Sequence, residues 1–165
     1  MPSVNTATDP QHRRRLAKRR NLIRIWLPVL AWIGVIALES GFGSSANTGS
    51  MLYKGVAWIF GSVDLARFES FHHILRKCGH FFGYGILGYL WFRAFTLSLG
   101  ASRLACAAIA IGCTFAVASL DEWHQSFSSA RTGQFSDVLL DTAGALLVVT
   151  IALLASARRR EARAA

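Results

Sequence analysis

Leu104 to Leu120 reads LACAAIAIGCTFAVASL, 17 residues without a single charge. A helix that spans hydrocarbon needs about 20 mostly apolar residues, within a range of about 17–25. Arg103 and Asp121, at its two ends, complete that length by reaching toward the interfaces. A buried helix of a soluble bundle would carry one polar face. This stretch has none, so its reading decides for a membrane protein. Three more charge-poor runs flank it: Ile25–Leu38, the stretch from Cys78 to Arg93 with nine further residues before Arg103, and Thr142–Ala157. The sequence therefore predicts an all-α integral membrane bundle of about four transmembrane helices, near 25–43, 78–98, 103–122 and 138–157. Glu39 interrupts the far end of the first.

Composition agrees. The 165 residues are 53% hydrophobic and 16% charged, against about 25% charged in ordinary soluble domains. Disorder is excluded by the apolar content. Fourteen glycines and three cysteines exclude collagen-like and disulfide-scaffold classes. Cys78, Cys106 and Cys113 fall in or beside predicted spans and form no CxxC pair, so buried free thiols are expected. The basic excess, 18 Lys+Arg against 9 Asp+Glu, sits mainly at the ends of the chain. Residues 1–24 read as a basic tail, 25–157 as the transmembrane domain and 158–165 as a second basic tail. An apolar run after Arg13–Arg15 and Lys18–Arg20 also resembles a signal peptide, even a twin-arginine one. An uncleaved first span is the more economical reading.

Four spans put both tails, with Arg93 and Arg103, on one side. That side collects 13 of the 18 basic residues. The positive-inside rule then places both termini in the cytoplasm of a multi-pass cell-membrane protein. The tails are expected to attract anionic lipid. No folded basic platform with interleaved aromatics supports nucleic-acid binding. Residues 44–50 read as a turn. Met51 to Ile74 repeats apolar residues at helical spacing, which predicts an extra interfacial amphipathic helix between the first and second spans. It serves as an aromatic anchor or as a lid.

Seven of the nine acids fall toward the outer side: Glu39, Asp64, Glu69, Asp121, Glu122, Asp137 and Asp141. Three helices carry polar stripes there. Lys77, His80 and Tyr84 share one face of the second span. Asp121, Glu122 and Gln125 share the end of the third. Asp137 and Asp141 lie four apart on the fourth, and Arg131 lies in the loop between the acids. Spans bury such groups by turning them toward one another. These nine residues are the candidate ligand-binding set. His80, Glu122 and Asp121 are the candidate acid–base groups. Lys77 and Arg131 suit a phosphate or carboxylate, and the acids suit hydroxyls or a cation. His80 with the acids is chemically capable of holding a metal, but no HExxH or close His pair marks one, so none is assigned. Ser126, Ser128 and Ser129 form no nucleophile elbow. Purely structural polar contacts between helices are the plain rival. The sequence names no cofactor.

The run Lys77-Cys-Gly-His80-Phe81-Phe-Gly-Tyr84 resembles the first signature of VanZ-like membrane proteins, K-x-x-H-F-x-x-Y. Asp121-Glu122-Trp-His-Gln125-Ser-Phe127, then Arg131 and Asp137, resembles the second, D-E-x-x-Q-x-F…R…D, which Asp141 and Gly144 continue. The chain departs at Ser129, where many members have Pro, and at Val148, where Gly is frequent. The resemblance implies a multi-span cytoplasmic-membrane protein with a cell-envelope role. The family is named after a factor in resistance to teicoplanin. On this reading the outer site binds an amphiphilic envelope compound or lipid head group, with a link to glycopeptide tolerance. The alternative is a membrane enzyme acting on lipid or lipid-linked glycan at the outer leaflet.

Overall fold

The structure, a computed structural model, describes residues 10–42, 45–61, 64–127 and 134–164. They form five helices: α1 (Pro10–Phe42), α2 (Ser45–Phe60), α3 (Leu65–Ser98), α4 (Arg103–Ser126) and α5 (Phe135–Ala164). Among the described residues there is no strand. Asn21–Ser40, Arg103–Ser126 and Phe135–Arg159 are long and apolar enough to cross a membrane. The sequence reading expected four such helices. The remaining expected span, 78–98, is the second part of the 34-residue α3. Its glycines, tyrosines, His80 and Arg93 lower its hydropathy, because this helix spends its face on contacts with the other helices.

Contacts along the helices give their directions. Trp26 meets Trp91 edge-on at 5.8 Å between ring centroids, and the Trp32 indole N–H donates to the Gly83 carbonyl at 2.8 Å. Rising numbers in α1 thus meet falling numbers in α3, so the two are antiparallel. Tyr84 meets Asp121 while Phe92 packs with Cys106, which makes α3 and α4 antiparallel. Lys77 meets Asp137 and Gly88 meets Ala145, so α3 and α5 run parallel. The bundle is up-down-up-down, with α3 at its centre.

Its interior sets many small residues around a few large ones such as Tyr84, Leu87 and Phe92. Ala94, Ala107, Ala110, Ala118, Ala145, Cys106 and Thr114 are buried, while Leu27, Leu30, Leu104, Phe115, Leu147 and Ile151 face outward. That is the packing expected where lipid tails solvate large side chains and close backbone approach supplies the attraction. Only 11% of the most apolar stretch of α1 is buried, and 28% in α4 and α5. The tightest seam is α3 against α5. A Cβ on Gly88 would lie 2.9 Å from the Ala145 Cβ, and one on Gly85 would lie 2.9 Å from the Val148 Cγ2. Val148 fills the notch that Gly85 leaves. Gly85→Ala is expected to cost about 1–3 kcal/mol by overpacking. Gly85→Ala with Val148→Ala should recover much of that, because the nearest clashing methyl is gone. Thermal unfolding in detergent of the single and double variants measures the coupling.

Several local expectations need correction. Residues 45–50, read as a turn, are the first part of α2. No proline opposes a helix there, and Gly49 packs on the His72 ring at 3.4 Å from its would-be Cβ. The 51–74 segment is not one helix. α2 ends at Gly61, whose φ of 82° suits only glycine and whose N–H bonds back to the Ala57 carbonyl at 3.0 Å. A new helix then starts where the Asp64 side chain accepts from the Arg67 N–H at 3.1 Å. The second half of the expected interfacial helix is therefore the opening of α3. α2 touches the bundle through α3 alone among the described elements, by Tyr53 against Phe68 at 5.2 Å, and leaves Trp58 and Phe60 exposed. Helices also continue into both basic tails, to Pro10 and to Ala164. Cys106 is buried as expected, but Cys78 is exposed on the outer face of α3.

Candidate functional site

The polar stripes of α3, α4 and α5 lie at the same end of the bundle, as helix directions and spacing require. Three cross-helix pairs descend from the rim. At the rim, Lys77 Nζ lies 3.1 Å from Asp137 Oδ1, with 39% and 25% of the side chains exposed. One turn deeper, His80 Nδ1 lies 3.4 Å from Asp141 Oδ2. One turn deeper again on α3, the Tyr84 hydroxyl donates to Asp121 Oδ2 at 3.0 Å. The His80 and Tyr84 rings stack at 6.1 Å. The i, i+3, i+7 spacing on α3 thus becomes a ladder, each rung gripped by a carboxylate of another helix.

Gln125 ties the base together. It is buried, and its amide nitrogen donates to Asp121 Oδ2 at 2.9 Å and to the Ser40 hydroxyl at 3.1 Å. Its carbonyl faces Arg76 Nη2 at 3.5 Å. Three of its four hydrogen-bonding positions are used. Ser40 brings α1 into the cluster, a helix the stripe reading left out. A serine at the end of an apolar run carries no distinctive signal. Arg76, adjacent to Lys77 and four residues before His80, has the spacing that identifies it in retrospect. Tyr84→Phe should cost about 1 kcal/mol, within the range for a bond between membrane helices. Unfolding of the purified chain in detergent checks it, with the fold retained.

Asp141 is the least exposed acid, at 1%. One carboxylate oxygen faces His80. The other, Oδ1, is buried and has no hydrogen-bond partner. With Asp141 accepting from Nδ1–H, the His80 Nε2 is left free to take or give a proton. Beside it lies a cavity of about 20 Å³ lined by Glu39, Ser40, His80, Tyr84 and Asp121 among others. That volume has room for about one water, and the lining offers the two to four polar partners that one needs.

Not every candidate joins this cavity. Glu122 is buried but turns toward the α4–α5 connection, where Oε2 accepts from the Gln134 N–H at 2.9 Å. It anchors the approach to α5. Asp137 stays at the rim, in the first turn of α5, where a negative charge suits the helix dipole. Arg131 lies outside the described residues. His124 and Trp123 are exposed. Among the described residues no three His, Cys, Asp or Glu side chains are close enough to hold a metal ion together.

The profile of the VanZ/LLP1 family matches residues 25–156, most of the chain. The chain belongs to the VanZ/LLP1 family. The match runs from α1 to the end of the apolar part of α5, so the whole ladder lies within the VanZ/LLP1 region. No curated protein and no solved structure matches the chain significantly.

Proposed function

We propose that this VanZ-like membrane protein uses the polar end of its bundle to bind the head group of an amphiphilic envelope compound or lipid. The observation that carries the reading is the graded ladder. A half-open Lys77–Asp137 pair stands over a buried His80–Asp141 pair whose Oδ1 has no partner. Burying carboxylates between helices is costly, and each polar contact between spans returns only about 0.6 kcal/mol on average. The cavity beside His80 has room for only about one water, so the head group docks at the rim. There Lys77 meets an anionic group and Asp137 meets hydroxyls or an ammonium, while Tyr84 and Gln125 hold the carboxylates in place. The sequence gives Arg131 the same anion-holding role as Lys77.

In this proposal α3 is the fourth span, both basic tails are cytoplasmic, and the ladder faces outward. A role in teicoplanin-type tolerance follows from the family reading. To test binding, the full chain is expressed in a bacterial membrane, purified in mild detergent and examined by native mass spectrometry. Wild type should retain an envelope amphiphile, and Lys77→Ala with Asp137→Ala should lose it at unchanged melting temperature. Wild type without bound amphiphile after incubation with total envelope lipid overturns the proposal.

A second reading draws on one observation. His80, oriented by Asp141, adjoins a cavity of one-water size lined also by Asp121 and Tyr84. A base and a carboxylate around a space of that size suit hydrolysis of a lipid or lipid-linked glycan by a water that enters it. Product released from envelope lipids by the wild type, and abolished in His80→Ala, would favour the enzyme. The binding reading expects bound amphiphile and no product.

A further inference from the structure

At the opposite end of the bundle, three arginines from three different helices line one groove. Arg93 comes from α3, Arg103 from the first turn of α4, and Arg159 from α5, just past its apolar stretch. The groove has a volume of about 520 Å³, in the range of small-molecule sites. Among the described residues, none of the three guanidinium groups has a carboxylate within ion-pair distance. Like charges brought to one groove without counter-charge repel one another, and an anion relieves that. Of the three hydroxyls in the groove, those of Thr96 and Ser156 are already committed as donors, and the third belongs to Tyr89. Thr96 donates to the Phe92 carbonyl at 2.7 Å, and Ser156 donates to the Leu153 carbonyl at 2.7 Å. The arginines, with the Tyr89 hydroxyl, are therefore its main donors, and they suit a ligand made of acceptor oxygens. Guanidinium groups match phosphate oxygens in geometry as well as charge.

Apart from Tyr89, the rest of the lining is apolar. Phe92 forms the floor, with Leu97, Ala152 and Ala155 along the walls. A free anion gains nothing from those surfaces, whereas acyl chains do. The arginines sit where the apolar stretches of α4 and α5 end, which is head-group depth if those helices cross a bilayer. We infer that this groove is a binding site for an anionic phospholipid, its phosphate held by Arg93, Arg103 and Arg159 and its acyl chains lying along α3 and α5. This differs from diffuse attraction of the basic tails to a charged surface, because two of the three arginines lie outside the tails and all three converge on one pocket. It is also independent of the ladder at the other end.

The test uses the full chain in detergent, titrated separately with phosphatidylglycerol, phosphatidylcholine and inorganic phosphate, and reads melting temperature and apparent affinity. Phosphatidylglycerol should raise the melting temperature saturably, and the other two should not at equal concentration. Each single substitution, Arg93→Gln, Arg103→Gln or Arg159→Gln, should weaken phosphatidylglycerol binding by about fivefold, the equivalent of about 1 kcal/mol per basic residue near a lipid surface. The triple variant should lose about 100-fold. Replacing Arg13, Arg14, Arg15, Arg19 and Arg20 with Gln should change binding less than about twofold. Should the triple variant fail to fold, the three singles and the wild-type lipid comparison still decide. Equal stabilisation by phosphatidylcholine or by inorganic phosphate overturns the inference. So does undiminished binding in the groove variants, or loss of binding in the tail variant.

Discussion

Gly144→Leu is expected to abolish the folded bundle, and Gly144→Ala alone to cost about 3 kcal/mol or more. Any Cβ at this position overlaps the Phe81 carbonyl of α3 and crowds its Cα. The obstacle is backbone, so no side-chain rotation relieves it. Inserting a methylene into a packed core costs about 1–3 kcal/mol when side chains can yield. Here α3 and α5 would have to separate. Separation would also loosen the other seam contacts, Gly88 on Ala145 and Gly85 on Gly144 and Val148. The rungs would open with them, because Lys77–Asp137 and His80–Asp141 join the same two helices. The variant is checked by detergent melting and by size-exclusion profile. Full stability of Gly144→Ala would mean that the backbones of α3 and α5 do not touch there.

The second large effect is on the site. Asp141→Asn should leave the melting temperature within a few degrees of wild type and reduce amphiphile retention at least tenfold. Asn keeps the size of the side chain and one oxygen for His80. It replaces one unpartnered buried polar atom by another, so the change in folding free energy is small, on the order of 1 kcal/mol. What vanishes is the negative charge that orients His80 beneath the Lys77–Asp137 pair. If Asp141 served only to hold helices together, the outcome would reverse, with stability falling and any ligand retained. Native mass spectrometry beside a melting curve separates the two.

Much of the frame was readable because hydrocarbon is a severe solvent. Charge-free runs at 25–38, 104–120 and 142–157 could be little else than spans, and α1, α4 and α5 contain them. The full length of α3 was harder to see. Its first three turns carry Glu69, His72, His73 and Arg76, which read as a separate surface helix until the break is located at Gly61 and Asp64. Helical spacing also placed the stripe residues on common faces, since i, i+3 and i+7 are geometry rather than tertiary structure. Spacing does not reveal which partner each face meets. Lys77 with Asp137 and His80 with Asp141 depend on the axial offset of α3 and α5, and that offset is set by Gly85, Gly88 and Gly144. Glu122 shows the same limit. Its partner is a main-chain N–H at Gln134, and side-chain patterns carry no record of where a connecting strand of backbone passes.

The glycine seam has a mechanical consequence. Two helices whose main chains touch, with no side-chain cushion between them, cannot roll or shear past one another without climbing over each other's carbonyls. α3 and α5 therefore behave as a single welded beam running between the carboxylate ladder and the arginine groove. Carriers that expose cargo alternately to two compartments need one half of the fold to rock against the other. Between α3 and α5 this seam offers no such pivot, so any relative motion in the bundle falls to α1 and α4.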